Sequence, residues 1–519
     1  MRKGLILFIC ILVSLSANTP ASALAYSVNP FYAIKSYEEY MDIKDALGTA
    51  NYMYYGWARI ARDSNNRMVF TSEKKNLSVY DSYNEYSLPT PADEGFPNEI
   101  HKDLYPISNN LLMVFFSTQK YNDGKNSALE FLNMKDEEWE DYIINPMIEM
   151  IHKYNFDGVV LDFEGFLDKF SDSNYSESVN DRLKEKYNNF LTFLKSRLQD
   201  KKLSVCVNVP ENYDGYDYKH IYSIADSIIL LTYPHVHYTE YEESDGISEL
   251  TGKIKAVDIP ECQPFDKIDY SLNRLTELLI NEFGENYNPQ KILLGATIET
   301  NGWIEKEFQN STGSYIYYEH IRPAYKEIED AKGDVEYIIT SDLYKYQSVT
   351  YKKTIPGDPG TGVKKTEYYY ETPETIYDKF YTLVLKYNLS GITVWRIGIG
   401  NEKIWDSLYN IFNTPNVPYN ELESKEGVPS DKIWTINFNM ALDKSTITDS
   451  LNSIYVADSS GTSQNITLEY DDIHNSVKVI AEDLYRKGDV YYLIIGRDVK
   501  SNSGGSLEKP SRMKFKIAQ

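Results

Sequence analysis

Between about residues 50 and 400, short aliphatic and β-branched runs alternate with longer stretches of helical period. That is the pattern of a barrel of strands wrapped by helices. The apolar runs predict strands at 52–58, 111–117, 158–164, 203–209, 227–233, 292–299 and 391–396, with an eighth inside 66–83. Between them, residues 181–199 put Leu183, Tyr187, Phe190, Leu191, Leu194 and Leu198 on one helical face. Residues 375–387 do the same with Ile376, Phe380, Leu383 and Val384. Past residue 431 the period changes. Short alternating strands at 433–438, 453–456, 466–470, 476–480, 490–495 and 512–517 follow at regular spacing, as in a β-sandwich. The chain reads as α/β: a (β/α)8 barrel over 26–412, a Pro-containing linker over 413–430 and an all-β sandwich over 431–519.

Two further patterns refine the barrel. Lys153-Tyr-Asn-Phe-Asp-Gly-Val echoes Lys386-Tyr-Asn-Leu-Ser-Gly-Ile, each joining a helix to a strand. Aligning Gly158 with Gly391 sets Asp162 opposite Trp395, so two strands that enter the barrel alike would both aim these side chains inward. Residues 301–372 interrupt the alternation with a hairpin signal, two alternating runs flanking Pro356-Gly-Asp-Pro-Gly-Thr-Gly. Following the seventh strand, this insert should hang over the barrel face where strands end, either as the wall of a cleft or as a loop without function.

The first 25 residues stand apart. Arg2 and Lys3 precede an apolar run from Leu5 to Leu15, then small residues at Ala21, Ala23 and Ala25, the layout of a secretory leader. The run is too short to span a membrane, and no later segment is long enough, so the cleaved chain is expected to be exported without membrane insertion. Cys206 and Cys262 then remain, too few for a disulfide framework. A formal net charge of −24 speaks against nucleic acid or anionic membranes as partners. The 46 tyrosines suit sugar-lined grooves and half-buried strands alike. His235 and His237 have no third ligand at metal-site spacing, so no metal is read there. The oligomeric state is not legible.

Chemistry concentrates in Phe156-Asp-Gly-Val-Val-Leu-Asp162-Phe-Glu164. Alternation puts Val160, Asp162 and Glu164 on one face of this strand and Val159, Leu161 and Phe163 on the other. Two acids on one face, about 7 Å apart, are costly to bury without a purpose. In a parallel barrel the C-terminal strand ends carry the chemistry. A glycosidase ordinarily uses two carboxylates on opposite sides of the bond, for which this pair is cramped. Substrate-assisted cleavage needs only one acid, because the sugar's 2-acetamido oxygen attacks the anomeric carbon.

The octapeptide Asp157-Gly-Val-Val-Leu-Asp162-Phe-Glu164 resembles the signature strand of the family 18 glycoside hydrolases, chitinase-like TIM barrels with the pattern Asp-Gly-x-Asp-x-Asp-x-Glu. The resemblance implies that Glu164 is the catalytic acid, Asp162 orients the acetamido group and Asp157 is the first motif aspartate, assigned to substrate binding. The second aspartate is Val160 here, which removes a proton-sharing partner of Asp162. Leu231-Thr-Tyr233-Pro234 resembles the Met-x-Tyr-Asp segment of the sixth strand, with Tyr233 kept and Pro234 in place of the acid. Ile392-Thr-Val-Trp395-Arg396 resembles the eighth-strand end, whose tryptophan floors a sugar subsite. Asn208, Tyr55, Trp57 and Glu299 fall near predicted strand ends and are candidates to line the groove. The implied substrate is an N-acetylglucosamine-containing polysaccharide such as chitin or peptidoglycan, with no metal or organic cofactor. The closest look is to bacterial cell-wall and spore-cortex N-acetylglucosaminidases. The alternative is a catalytically inactive glycan-binding barrel of the cell wall. In the C-terminal unit, Ile436-Asn-Phe-Asn-Met-Ala-Leu-Asp-Lys-Ser-Thr, Ile454-Tyr-Val and Gly488-Asp-Val-Tyr-Tyr-Leu-Ile-Ile resemble bacterial Ig-like modules of surface-layer proteins.

Overall fold

The computed structural model describes residues 11–13, 15–16, 26–32, 52–63, 65–71, 109–117, 127–164, 177–210, 216–233, 235–338, 349–413, 420–447, 453–458, 464–496, 499–502, 506–507 and 511–518. The chain divides into two compact units, Tyr26–Asn413 and a second made of Met1–Ala25 with Thr414–Gln519.

Eight parallel strands form the first unit's barrel: β1 (Ser27–Tyr32), β2 (Tyr52–Arg62), β3 (Asn109–Ser117), β4 (Gly158–Glu164), β5 (Lys202–Asn208), β6 (Ser227–Leu231), β7 (Ile292–Thr297) and β8 (Gly391–Trp395). Each pairs with the next, β8 pairs with β1 through Gly391↔Ser27, and β1 pairs with β2 through Phe31↔Tyr54, so the eight strands close into a ring. Seven of the eight were expected near these positions. The eighth was expected within 66–83, but the missing stave is β1, ahead of β2. Met68–Thr71 is an antiparallel hairpin strand folded back on β2, and residues 72–83 lie outside the described residues. Pro30 hid β1, because proline inside a run argues against a central strand.

Helices cover the outside, among them Asn145–Lys153, Glu177–Leu198, Phe265–Phe283, Thr382–Tyr387 and Glu402–Asn413. Val159, Leu161 and Phe163 of β4 pack outward with Phe131, Trp139, Tyr187 and Phe190 in the layer between strands and helices. The echoed glycines have one physical cause. A Cβ on Gly158 would collide with the Lys202 carbonyl at the start of β5, and one on Gly391 with the Ser27 carbonyl at the start of β1.

The insert after β7 belongs to a seven-stranded antiparallel sheet of 237–240, 254–259, 301–310, 313–321, 334–338, 350–356 and 363–370. The single hairpin expected at 346–371 is therefore one part of a larger sheet, and strands from the loop after β6 complete it.

In the second unit, Trp434–Phe438, Ser476–Ala481 and Ile466–Asp471 form one sheet, and Asn420–Val428, Ser511–Ile517, Val490–Ile495 and Ile454–Asp458 form the other. Trp434, Ile436, Val477, Val456, Leu493 and Phe515 from both sheets share one core. Asn420–Val428 was expected to be linker. Its sequence, NELESKEGV, is too polar to announce a strand, yet it pairs in parallel with Ser511–Ile517. Ile11–Val13 runs parallel to Ile436–Phe438, and Leu15–Ser16 pairs with Ser506–Leu507. A run rich in Ile, Leu and Val has the β propensity to extend an open sheet edge.

Candidate active site

The direction of β4 follows from its neighbours. Val160 lies inside the barrel with Phe31, Tyr54, Leu111, Met113, Cys206, Ile229, Leu231 and Leu293, while the residues on either side of it face the helices. Asp162 continues the inward row and is 3% exposed. Along the adjacent strand it stands level with Phe115, and Glu164 stands level with Ser117, the last pair of the ladder. The backbone of Glu164 thus ends β4 on the inward-facing parity. Its side chain lies outside the described residues, as does that of Trp57.

Tyr233 and Trp395 are half-buried and pack against the same interior cluster as Val160. The Trp395 ring lies 5.7 Å from Phe31, which stands 5.3 Å from Tyr54. Asn208, two residues beyond the inward Cys206, closes β5 in a buried position with its carbonyl accepting from the Tyr218 hydroxyl at 2.8 Å. Glu299 follows β7; its N–H donates to the Thr297 hydroxyl at 3.0 Å and its carboxylate meets Arg322 at 3.2 Å. Asp162, Asn208, Tyr233, Glu299 and Trp395 therefore all sit at the C-terminal strand ends.

Two expectations are corrected. Tyr55 faces outward, packed between Tyr32 and Phe156 in the layer beneath the helices, whereas Tyr54 points into the barrel. Alternation along β2 puts Met53 and Tyr55 on the outer face and Tyr54 on the inner one, before a register shift that begins after Tyr55. Asp157 lies at the opposite end of β4 from Glu164. Its carboxylate accepts the Asn110 N–H at 2.8 Å and its carbonyl accepts the Lys202 N–H at 2.9 Å, so it ties the starts of β3, β4 and β5 together. At ~3.3 Å per residue it is about 16 Å from Asp162, too far to touch the same sugar.

Sequence reasoning missed Phe31, Tyr54 and Phe115, which line the interior. Parity within β3 would have found Phe115. Phe31 was lost with β1. It also missed a buried polar assembly behind β6 and β7. The Gln263 side chain donates to the Thr232 hydroxyl at 2.7 Å and accepts the Thr297 N–H at 2.6 Å, joining the two strand ends. The Gln263 carbonyl accepts from Lys379 at 3.0 Å, and Lys379 pairs with Glu371. Burial pushes the neighbouring Glu261 carboxyl up to about 8, with Lys379 opposing and Glu371 and Asp266 adding to the rise. Folded Glu261 thus holds its proton to about pH 8, whereas an unfolded one releases it near 4.5. Its contribution to stability is full below the lower value and is lost as pH rises through the higher one. Thermal unfolding from about pH 5 to about pH 9 should show a shallower decline for Glu261→Gln than for the wild type. Parallel curves would remove Glu261 from the titration.

The model of the family described as Glycosyl hydrolases family 18 matches residues 28–399. Among solved structures, the C-terminal domain of a protein assigned as a chitinase from Desulfitobacterium hafniense DCB-2 is similar at 17% identity and a TM-score of 0.52, covering 75% of this chain and 99% of that one. The spore cortex-lytic enzyme SleL of Bacillus megaterium QM B1551 is similar at 16% identity and a TM-score of 0.50, covering 78% and 77%. At these identities the likeness is one of fold. No curated protein matches the chain.

Proposed function

The chain belongs to the glycosyl hydrolases of family 18, and on that premise we propose that it is an exported enzyme cleaving β-1,4 bonds beside N-acetylglucosamine with retention. In this reading Glu164 protonates the glycosidic oxygen while the 2-acetamido oxygen attacks the anomeric carbon, giving an oxazolinium intermediate. Glu164 then takes a proton from the water that opens it. Asp162 accepts the acetamido N–H and offsets the positive charge. Tyr233 fixes the acetamido oxygen, and Trp395 offers its face to the sugar ring. Asn208 and Glu299 stand on the same rim. The polymer is chitin or bacterial peptidoglycan, residues 1–25 are the export leader, and the C-terminal sandwich is an Ig-like spacer or wall-contact module.

The observation that supports this reading is the inward row Val160–Asp162, which carries β4 toward Glu164 inside a barrel where Tyr233 and Trp395 pack against the same cluster. The test exploits the substrate's role as nucleophile. N-acetylglucosamine tetramers and purified cell wall should be cleaved, with the first-formed reducing end in the β-anomer by proton NMR. Glucose tetramers, which lack the acetamido group, should not be turned over. An α-anomeric first product would sink the retaining mechanism. Binding without turnover of either N-acetylated polymer would make the protein a glycan-binding barrel.

A further inference from the structure

β4 pairs with β3 to its end, at Ser117↔Glu164, but its register with β5 stops at Leu161↔Val205. The two strands part before Glu164, so carbonyls on the β5 side need another donor. Tyr216, buried ahead of the helix Tyr218–Ile224, supplies one: its hydroxyl donates to the Phe163 carbonyl at 2.7 Å. That carbonyl belongs to the peptide bond leading into Glu164. The tyrosine is itself held, with its ring 5.8 Å from Tyr218 and 6.4 Å from Tyr187, which in turn lies 5.6 Å from Phe163. Tyr218 treats β5 alike through the Asn208 carbonyl. A pair of tyrosines thus buttresses the ends of the two parted strands from outside the barrel.

We propose that Tyr216 is a positioning residue for Glu164: its hydroxyl fixes the plane of the Phe163–Glu164 peptide and so the direction from which the acid meets the glycosidic oxygen. This rests on Glu164 being the acid. Proton donation depends steeply on placement, and an error near 1 Å can cost up to ~10²-fold in rate. The demand also depends on the leaving group. A departing sugar needs the proton, whereas a dinitrophenolate leaves without it.

Tyr216→Phe removes the hydroxyl alone and is compared on an N-acetylglucosamine oligomer and on a dinitrophenyl N-acetylglucosaminide. The expected result is a fall in kcat of about tenfold on the oligomer with KM within about twofold, and a fall of under about threefold on the aryl substrate. Tyr222→Phe controls for fold, since the Tyr222 hydroxyl donates to the Asn288 carbonyl at 3.1 Å ahead of β7, at the far end of the barrel. It should lower Tm by a similar amount with both rates unchanged. A para-aminophenylalanine at position 216 keeps a donor and should restore the oligomer rate; it also stands in if the phenylalanine variant does not fold. Equal losses on both substrates, or an undiminished oligomer rate, would overturn the proposal. Glu164→Gln, assayed in parallel, separates the two failures. If that variant still cleaves the oligomer, the acid assignment is wrong; if it is inactive while Tyr216→Phe behaves as wild type, only the tyrosine's role falls.

Discussion

Glu164→Gln should lower kcat on N-acetylglucosamine oligomers by about 10³-fold while leaving their affinity within a few-fold. The amide matches the carboxyl in shape and can still hydrogen-bond the glycosidic oxygen, but it has no acidic proton to give. The loss is therefore confined to the step in which the bond breaks, which is the signature of an interaction made in the transition state. Initial rates by mass spectrometry and affinities by calorimetry measure the two quantities separately. A rate within tenfold of the wild type would remove Glu164 from the acid role. A parallel collapse in affinity would instead make it a substrate-binding group.

The largest expected effect on stability lies behind the site. Lys379→Met should destabilise the fold by about 3–5 kcal/mol. Lys379 is fully buried, pairs with Glu371 and donates to the Gln263 carbonyl at 3.0 Å. Thr375 adds a hydroxyl to the other carboxylate oxygen of Glu371 at 2.7 Å. Methionine fills the space but leaves the Glu371 carboxylate in the interior without a counter-charge, close to the already disfavoured Glu261. Adding Glu371→Gln to the same chain should recover most of the loss, because the uncompensated charge is then gone. Denaturant unfolding of the single and double variants decides the matter. A single variant within about 1 kcal/mol of wild type would mean that the pair contributes no more than an exposed one.

The barrel was legible where strands carry clean aliphatic runs, as in Gly158–Glu164 or Ile292–Thr297, because burial on both faces removes polar residues from central parallel strands. β1 was not legible, since Pro30 breaks its pattern, and Asn420–Val428 was not, since its composition is that of a linker. At the site, parity alone placed Asp162 on the inner face, because β4 pairs with β3 without a slip. Proximity to a strand end, which marked Tyr55, does not say which face a side chain takes; alternation along β2 puts Tyr54 inside and Tyr55 outside. Asp157 shows a different limit. A motif gives order along the chain, but only the rise per residue tells that its first aspartate belongs to the far rim. Tyr216 and Gln263 carried no local signal, because each acts on a backbone segment distant in sequence.

Closure through Gly391↔Ser27 sets a condition on assembly. The earliest stave to leave the ribosome waits for the last, more than three hundred and fifty positions later, before either has its second neighbour. Local hairpins and helices form en route, but the ring locks only at the finish, which is the slow kind of topology. A stop codon just before β8 would thus leave two raw edges and a sticky open sheet, whereas one just after Asn413 should yield a closed, soluble drum.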